Sequence, residues 1–518
     1  MRDTSPVLMI GLDASELTLI EEFWSEGRLQ TLQSLRERGC FGRLRSHGVV
    51  FSGGVWPTFY TSKLVPWHGI YHNRMWRREN LRVERVDETW LPERPFWEIP
   101  SLERFRVAVL DVPFVVRAPK PLNGIHVNGW GTHDMSHRGS WPPELWGRLE
   151  AEFGLPKMPR EHWGAQTAQV LLQLREDLLR TTAQMAELCE STLTRESWDL
   201  FLVVLGTTHR GGHYLWDLSQ IDETGLASER RQALRSALRD IYQVCDDFLA
   251  RLLDKAPRNA RVLVFAVHGM GPNPGWSERC QDIVSMIQRS RKEIPKSGLL
   301  YDTLKKVIPL QIRQRLRGSL PGTMGNRLSA IRSMQSVNWR TVRYFPLPMD
   351  LAGYVRINLR GREPLGTVEP GKEYHELCQE LQEAFLSLRD TETGEPIAKK
   401  VYQMDDLAPH DAPYREVLPD LVVVWGDIST TQSAGVRSAM HGEMRLHGKL
   451  PSGRSGNHSD SGWFVATGGG IPPATRADGH HVIDLVPTVL QWLGTEPPAD
   501  AQGKPIPALC TRGSNDPR

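Results

Sequence analysis

No CxxC pair, no internal repeat and no long apolar run occurs in this chain of 518 residues. Its six cysteines (Cys40, Cys189, Cys245, Cys280, Cys378 and Cys510) are widely spaced. Such spacing argues against a disulfide framework and a sulfur-ligated metal site, and fits reduced thiols in a reducing compartment. No stretch approaches the roughly 18 to 20 apolar residues needed to cross a bilayer. The opening, MRDTSPVLMIGLDASE, meets Asp13 too soon for a signal peptide. A soluble cytoplasmic protein is therefore expected. A surplus of charge is also missing. The formal net charge is +2, with 24% charged and 40% hydrophobic residues, the balance of a globular protein rather than a polyanion binder. No nucleic-acid-binding module appears, so no nucleic acid partner is expected.

What is present is a repeated grammar of apolar strand followed by polar tip. Residues 6–12 (PVLMIGL) read as a buried parallel strand. The same pattern recurs at 106–112, Leu200–Leu205, 261–267 and Leu421–Trp425. Residues 16–38 carry an apolar stripe at helical spacing (Leu17, Ile20, Phe23, Leu29, Leu32, Leu35), with Gly39 as its stop. Further helical patterns lie at about 165–195 and 228–255. This alternation predicts an α/β fold with a mostly parallel central sheet covered by helices on both faces. Residues 285–335 break the pattern with eleven Lys or Arg and two acidic residues. That amphipathic segment is either a solvated surface insertion or a lid or docking surface for an anionic substrate or a membrane. The chain after about 508 is a polar tail.

Three strands end in side chains that can bind metal. Asp13 follows the first, His209 and His213 follow Leu200–Leu205, and His268 follows 261–267. In an open parallel sheet these ends share one edge, where ligands bind. A helical turn would put His209 and His213 on one face, and Gly211 and Gly212 between them would admit a close backbone approach. His458, in the glycine- and serine-rich loop GRSGNHSDSGWFVATGGG, would complete a three-imidazole site with an open position. Ser52 precedes Gly53 and Gly54, between apolar residues 49–51 and a helix carrying Trp56, Phe59 and Tyr60. A hydroxyl at such a strand-to-helix junction is either a helix cap or a phosphate-facing nucleophile, with Thr58 and Thr61 as competing hydroxyls. Trp130, His133 and Asp134 (in GWGTHD) either line a substrate pocket or serve structure.

In order along the chain, VLMIGLDAS, SGGVWPTFYTSKLVPWHGIYH, THRGGHYLW, VFAVHGMG, YVRINLRGREPLGTV, PDLVVVW, GNHSDSGWFVATGGG and HVIDLVPTVLQWLGTEPPADAQGKPI resemble the alkaline phosphatase superfamily, in its type I phosphodiesterase and nucleotide pyrophosphatase branch. The resemblance implies an alkaline-phosphatase-like metal hydrolase domain over 1–284 and 337–507, interrupted by the basic insertion 285–336. It implies a hydrolase of small phosphate esters with Ser52 as nucleophile, sixteen residues before the His68 of the HGI motif, and Thr58 as backup. Asp13, Ser52 and His268 would hold one divalent metal, and His209, His213 and His458 the other. Zinc is the expected ion, with manganese or iron as alternatives. His68 is expected to be structural.

Two positions depart from the family pattern: His209 replaces an Asp, and Val267 replaces another. Imidazole can coordinate and valine cannot, so one firm metal site is expected at His209, His213 and His458, and a weaker one at Asp13, Ser52 and His268. Val267 also leaves open a degenerate member that binds an anionic ligand or partner without turnover. Phosphomonoesterase, phosphonate hydrolase and sulfatase activities rank below the diesterase reading, and SGGVW lacks the sulfatase nucleophile pattern.

Overall fold

A computed structural model of the chain describes residues 5–91, 93–131, 137–157, 164, 166–291, 293, 338–446 and 452–510. His133, Asp134, the tail from 511, and the basic segment apart from 285–291 and 293 lie outside the described residues.

The first strand, Val7–Leu12, is buried at all six positions because helices cover both of its faces. Val7 and Met9 enter one apolar core with Phe59, Leu485 and Val489, while Leu8, Ile10 and Leu12 enter another with Leu17, Leu32, Leu178 and Leu249. The period of two along a strand divides the side chains in this way. Arg261–Ala266 and Leu200–Leu205 flank the first strand in parallel, and Val107–Leu110 and Gly124–Asn128 extend the sheet in the same direction. Ser461–Thr467 joins antiparallel beside Arg261–Ala266 and pairs in turn with Cys40–Arg45. Among the described residues this central sheet has ten strands. The fold class is α/β with a mostly parallel sheet.

Three local expectations change. The stripe over 16–38 forms two helices, Leu17–Ser25 and Gln30–Arg38, because Gly27 adopts a left-handed conformation (φ 72°). The Gly27 N–H donates to the Trp24 carbonyl and the Arg28 N–H to that of Phe23, ending the first helix at Ser25, ten residues before the stripe runs out at Leu35. Leu421–Trp425 is a strand, but it belongs to a separate four-stranded antiparallel sheet with Tyr344–Leu347, Gly353–Ile357 and Ala398–Gln403. Its run LVVVW is apolar on both faces in either kind of sheet, and no long helical crossover precedes it to make it parallel. One face of this second sheet builds its own core with Ile283, Leu381 and Phe385, and the other sends Tyr354 and Val422 into the core shared with Phe51 and Tyr71. Finally, the strand Cys40–Arg45 ends well before residues 49–51, so no strand leads directly into Ser52.

All six cysteines are free. Among the described residues no helix is long and apolar enough to cross a membrane.

His126 on Gly124–Asn128 is fully buried, and burial holds its imidazole down at about 4. The unfolded chain takes up that proton near pH 6.5. This group's contribution to stability is therefore complete above about pH 6.5 and is lost as pH falls towards 4, on the order of 1 kcal/mol per pH unit. Melting temperatures recorded from about pH 7.5 down to about 4.5 should decline, and His126→Phe should flatten that decline. An equally steep profile in the variant would contradict this.

Candidate metal centre

The carboxyl ends of three adjacent parallel strands bring Asp13, the helix Thr207–Leu215 and His268 to one edge. The Asp13 N–H donates to the Leu205 carbonyl (2.9 Å), and Thr208 Oγ1 donates to the Asp13 carbonyl (2.7 Å). The start of the histidine-bearing helix is thereby fixed on Asp13. Within that helix His209 and His213 are one turn apart and their rings meet edge to face, 4.6 Å between centroids. Gly211 and Gly212 serve packing rather than approach to a ligand. A Cβ on Gly211 would lie 2.6 Å from Ile241 Cδ1, and one on Gly212 would lie 2.9 Å from Met270 Cγ. His458 sits not in a loop but on the strand Gly456–Ser459, paired antiparallel with Gly269–Pro272. That pairing sets His458 opposite Met270, two residues beyond His268.

His209, His213 and His458 converge. His209 Nε2 lies 2.9 Å from His458 Nε2 and 3.1 Å from His213 Nε2. Among the described residues these three form the one group of three or more His, Cys, Asp or Glu ligands close enough to hold a metal ion. The hydrogen bonding tests that fit. His213 Nδ1 donates to the Gly456 carbonyl (2.9 Å), so the neutral ring presents its Nε2 lone pair to the other two. Burial pushes both His213 and His458 well below the ordinary imidazole range. Arg454 adds to the shift on each, as His458 does for His213 and His268 for His458. Both rings are therefore uncharged near neutral pH, the form that ligates metal. One N–H on His209 can satisfy one of its two nitrogen contacts, whereas a cation at the meeting point satisfies all three lone pairs. Nitrogens bound at 2.0–2.1 Å around a tetrahedral ion stand about 3.3 Å apart, close to the spacing here. The trio fits a metal.

Asp13 lies between this trio and His268. Its Oδ2 is 3.6 Å from His209 Nδ1, and its Oδ1 is 3.4 Å from His268 Nε2 and accepts the Trp56 indole N–H at 2.9 Å. His268 Nδ1 donates to the Gly269 carbonyl (3.2 Å), so a neutral His268 aims a lone pair at the Asp13 carboxylate. A proton or a cation between them removes that repulsion. Val267, where the family pattern has an Asp, is fully buried in the apolar core and offers nothing.

Ser52 opens a short turn, Ser52–Gly54, that continues into the helix Val55–Thr61. Trp56, one turn on, reaches Asp13, so this segment is anchored at the Asp13–His268 side. The competing hydroxyls are engaged elsewhere. Thr61 donates to the Pro57 carbonyl, and Thr58 Oγ1 is 2.9 Å from His68 Nε2, both residues buried. His68 Nδ1 accepts the Ile70 N–H, so a neutral His68 carries its proton on Nε2 and cannot take one from Thr58. Burial pushes His68 down to about 3. Trp130 is structural: its N–H, with that of Gly131, is held by Asp111, and its ring packs on Trp146.

Sequence reasoning passed over three groups. Glu16 Oε2 accepts the Met270 N–H (3.1 Å) and the Ser459 hydroxyl (3.3 Å), joining the segments that carry His268 and His458. A Cβ on Gly269 would stand 2.2 Å from that oxygen, which is why glycine follows His268. Asp350 and Arg454 form the other pair. Burial alone would raise the Asp350 carboxyl, but Arg454 and His72 beside it, with His458, hold it well below the usual carboxylate range.

The sequence matches the family described as type I phosphodiesterase / nucleotide pyrophosphatase over residues 7–442. The chain belongs to that family. Within this phosphodiesterase family member, Asp13, Ser52, His209, His213 and His268 fall inside the matched span and His458 beyond it. Its fold is similar to that of human ectonucleotide pyrophosphatase / phosphodiesterase 5, at 12% identity and a TM-score of 0.50, covering 96% of this chain and 97% of that one. It is likewise similar to phosphonoacetate hydrolase from Sinorhizobium meliloti 1021 in complex with phosphonoformate, at 13% identity and a TM-score of 0.51, covering 95% and 96%. At such identities the likeness speaks for the fold alone. No curated protein matches the chain at a significant level.

If the imidazole trio is the firm site, elemental analysis after exhaustive dialysis finds one divalent metal per chain in the phosphodiesterase family member. His213→Ala and His458→Ala each abolish its retention while Thr58→Ala does not. Two tightly held metals in the parent protein, or full metal in either histidine variant, would contradict the assignment.

Proposed function

We propose that the protein is a metal-dependent hydrolase of phosphate esters, of phosphodiesterase or nucleotide pyrophosphatase type, with Ser52 as nucleophile. The observation that carries this reading is the convergence of the His209, His213 and His458 Nε2 atoms beside Asp13. Family membership supports the reaction class. The firm metal site is His209, His213 and His458; Asp13, Ser52 and His268 hold a second ion more weakly, since Val267 cannot ligate. Zinc suits three imidazoles, with manganese or iron as alternatives. When bound, the metal supplies Lewis acidity that lowers the hydroxyl pKa and offsets charge on phosphoryl oxygens.

The side chains do the rest. Ser52 loses its hydroxyl proton to solvent and its oxygen attacks phosphorus in line with the leaving oxygen. The P–O bond to the leaving group breaks, and a phosphoseryl intermediate forms. Water then attacks that phosphorus and releases Ser52. The Trp56 indole N–H holds the Asp13 carboxylate in place, and the His213–Gly456 hydrogen bond fixes which nitrogen His213 presents. Cytoplasmic residence belongs to the same proposal, and the free cysteines are compatible with it.

Ser52→Ala should lower hydrolysis of bis-p-nitrophenyl phosphate by at least about a thousandfold with metal content unchanged. Near-full activity in that variant would move the nucleophile to Thr58 or end the reading. A second reading, ligand binding without turnover, draws on Val267. It gains if neither bis-p-nitrophenyl phosphate nor p-nitrophenyl phosphate is hydrolysed with zinc, manganese, iron or magnesium.

A further inference from the structure

The strands Arg261–Ala266 and Ser461–Thr467 pair as far as Ala266 opposite Trp463. Pairing resumes at Gly269 opposite Ser459 and continues with Met270 opposite His458. Between these points two residues, Val267 and His268, face three, residues 460–462. One extra residue on one side breaks a ladder and re-aims its side chains, and this break carries His268. Beyond it lies a ribbon of two four-residue strands, Gly269–Pro272 and Gly456–Ser459, marginal on its own. Two of its backbone donors turn outward to side chains. Met270 N–H donates to Glu16 Oε2 (3.1 Å), and His458 N–H donates to Asn457 Oδ1 (2.9 Å). Glu16 Oε2 also accepts the Ser459 hydroxyl (3.3 Å), so a single oxygen grips both strands where the ribbon leaves the break.

Glu16 is itself buried and held. Its N–H donates to the Tyr242 hydroxyl (2.7 Å), and its Oε1 accepts the Thr18 N–H (3.2 Å) and hydroxyl (3.1 Å) at the start of the helix Leu17–Ser25. Ser15 beside it donates its N–H and its hydroxyl to the Leu12 carbonyl, and its own carbonyl accepts the Trp463 indole N–H (3.1 Å). The turn from Asp13 to Glu16 is thereby fixed on the strand that delivers Asp13. A buried carboxylate at a helix start can be a plain cap. Asp246 fills that role, with its two oxygens accepting the Thr31 and Leu32 N–H groups at one helix start. Glu16 instead divides its oxygens, one for its helix and one for the ribbon. The His268 and His458 rings meet across the break at 4.5 Å between centroids, and His458 stacks on His209 at 5.0 Å. A ribbon that slid past Glu16 would carry these rings out of register with Asp13.

We infer that Glu16 is a positioning residue for the metal ligands: through Met270 and Ser459 it holds His268 and His458 at the spacing from Asp13 that metal binding needs. This assignment rests on the metal centre of the hydrolase reading and adds to it the group that keeps the two halves of that centre in register. The test is titration of the full-length, metal-free protein with cobalt(II), reading the dissociation constant and the visible absorption bands. Melting temperature and circular dichroism are recorded for every variant. Glu16→Ala should weaken cobalt binding about 10- to 100-fold and alter the visible bands, which report ligand geometry. Ser459→Ala removes one contact on Oε2 and leaves the helix cap intact, so it should weaken binding by a smaller factor. Thr18→Ala touches the cap alone; it should lower the melting temperature and leave cobalt affinity and bands as in the parent. A plain capping role makes Glu16→Ala behave like Thr18→Ala. Cobalt affinity within about twofold of the parent and unchanged bands in a folded Glu16→Ala protein overturn the assignment and leave the metal centre standing. Where that variant does not fold, the same result in Ser459→Ala overturns it. A parent protein that binds no cobalt overturns both.

Discussion

Three imidazoles with their Nε2 atoms 2.9 and 3.1 Å apart, two of them held uncharged by burial, call for a positive charge at their centre. The His213 proton is committed to the Gly456 carbonyl, and burial keeps His213 and His458 from gaining another near neutral pH. A single N–H among neutral rings satisfies one of the two contacts, and the fold holds the other nitrogen pair together as well. A cation is the simplest group that turns the repulsion within that pair into attraction. The rest of the site is arranged around that constraint.

The restraint comes from long-range ties rather than from any one element. Parallel strands deliver Asp13, His209 and His213, and His268 to the same edge. Glu16 then joins the segments of His268 and His458, while Gly456, whose added Cβ would lie 2.2 Å from the Gly212 carbonyl, lets the His458 strand close onto the histidine helix. Trp56 draws the Ser52 segment to Asp13. The second sheet reaches the same place through Tyr354, whose hydroxyl donates to the Val50 carbonyl, and through the Asp350 segment. Each tie joins residues distant in sequence, so the pocket exists only in the folded chain.

That distance decides what could be read from the sequence. Asp13, His209, His213 and His268 were visible because each follows an apolar run, and strand ends have a predictable address in a parallel sheet. His458 looked like a loop residue, since Gly456 and Ser459 lower its apparent strand character, yet it lies on a strand paired with Gly269–Pro272. Glu16, Asp350 and Arg454 left no local signal. Their positions depend on which remote backbone groups fold against them, and isolated charged residues look alike in sequence. The break at Gly27 is hidden because the apolar stripe continues across it at helical spacing. Leu421–Trp425 was legible as a strand but not as a member of a different sheet, because burial on both faces hides the direction of its neighbours.

The most direct test is anomalous diffraction from crystals of the metal-loaded protein, collected at the absorption edge of the bound ion. The account predicts a peak about 2.0–2.2 Å from the Nε2 atoms of His209, His213 and His458 together. A peak that misses any one of these nitrogens, or imidazoles that diverge when the metal is bound, would contradict it.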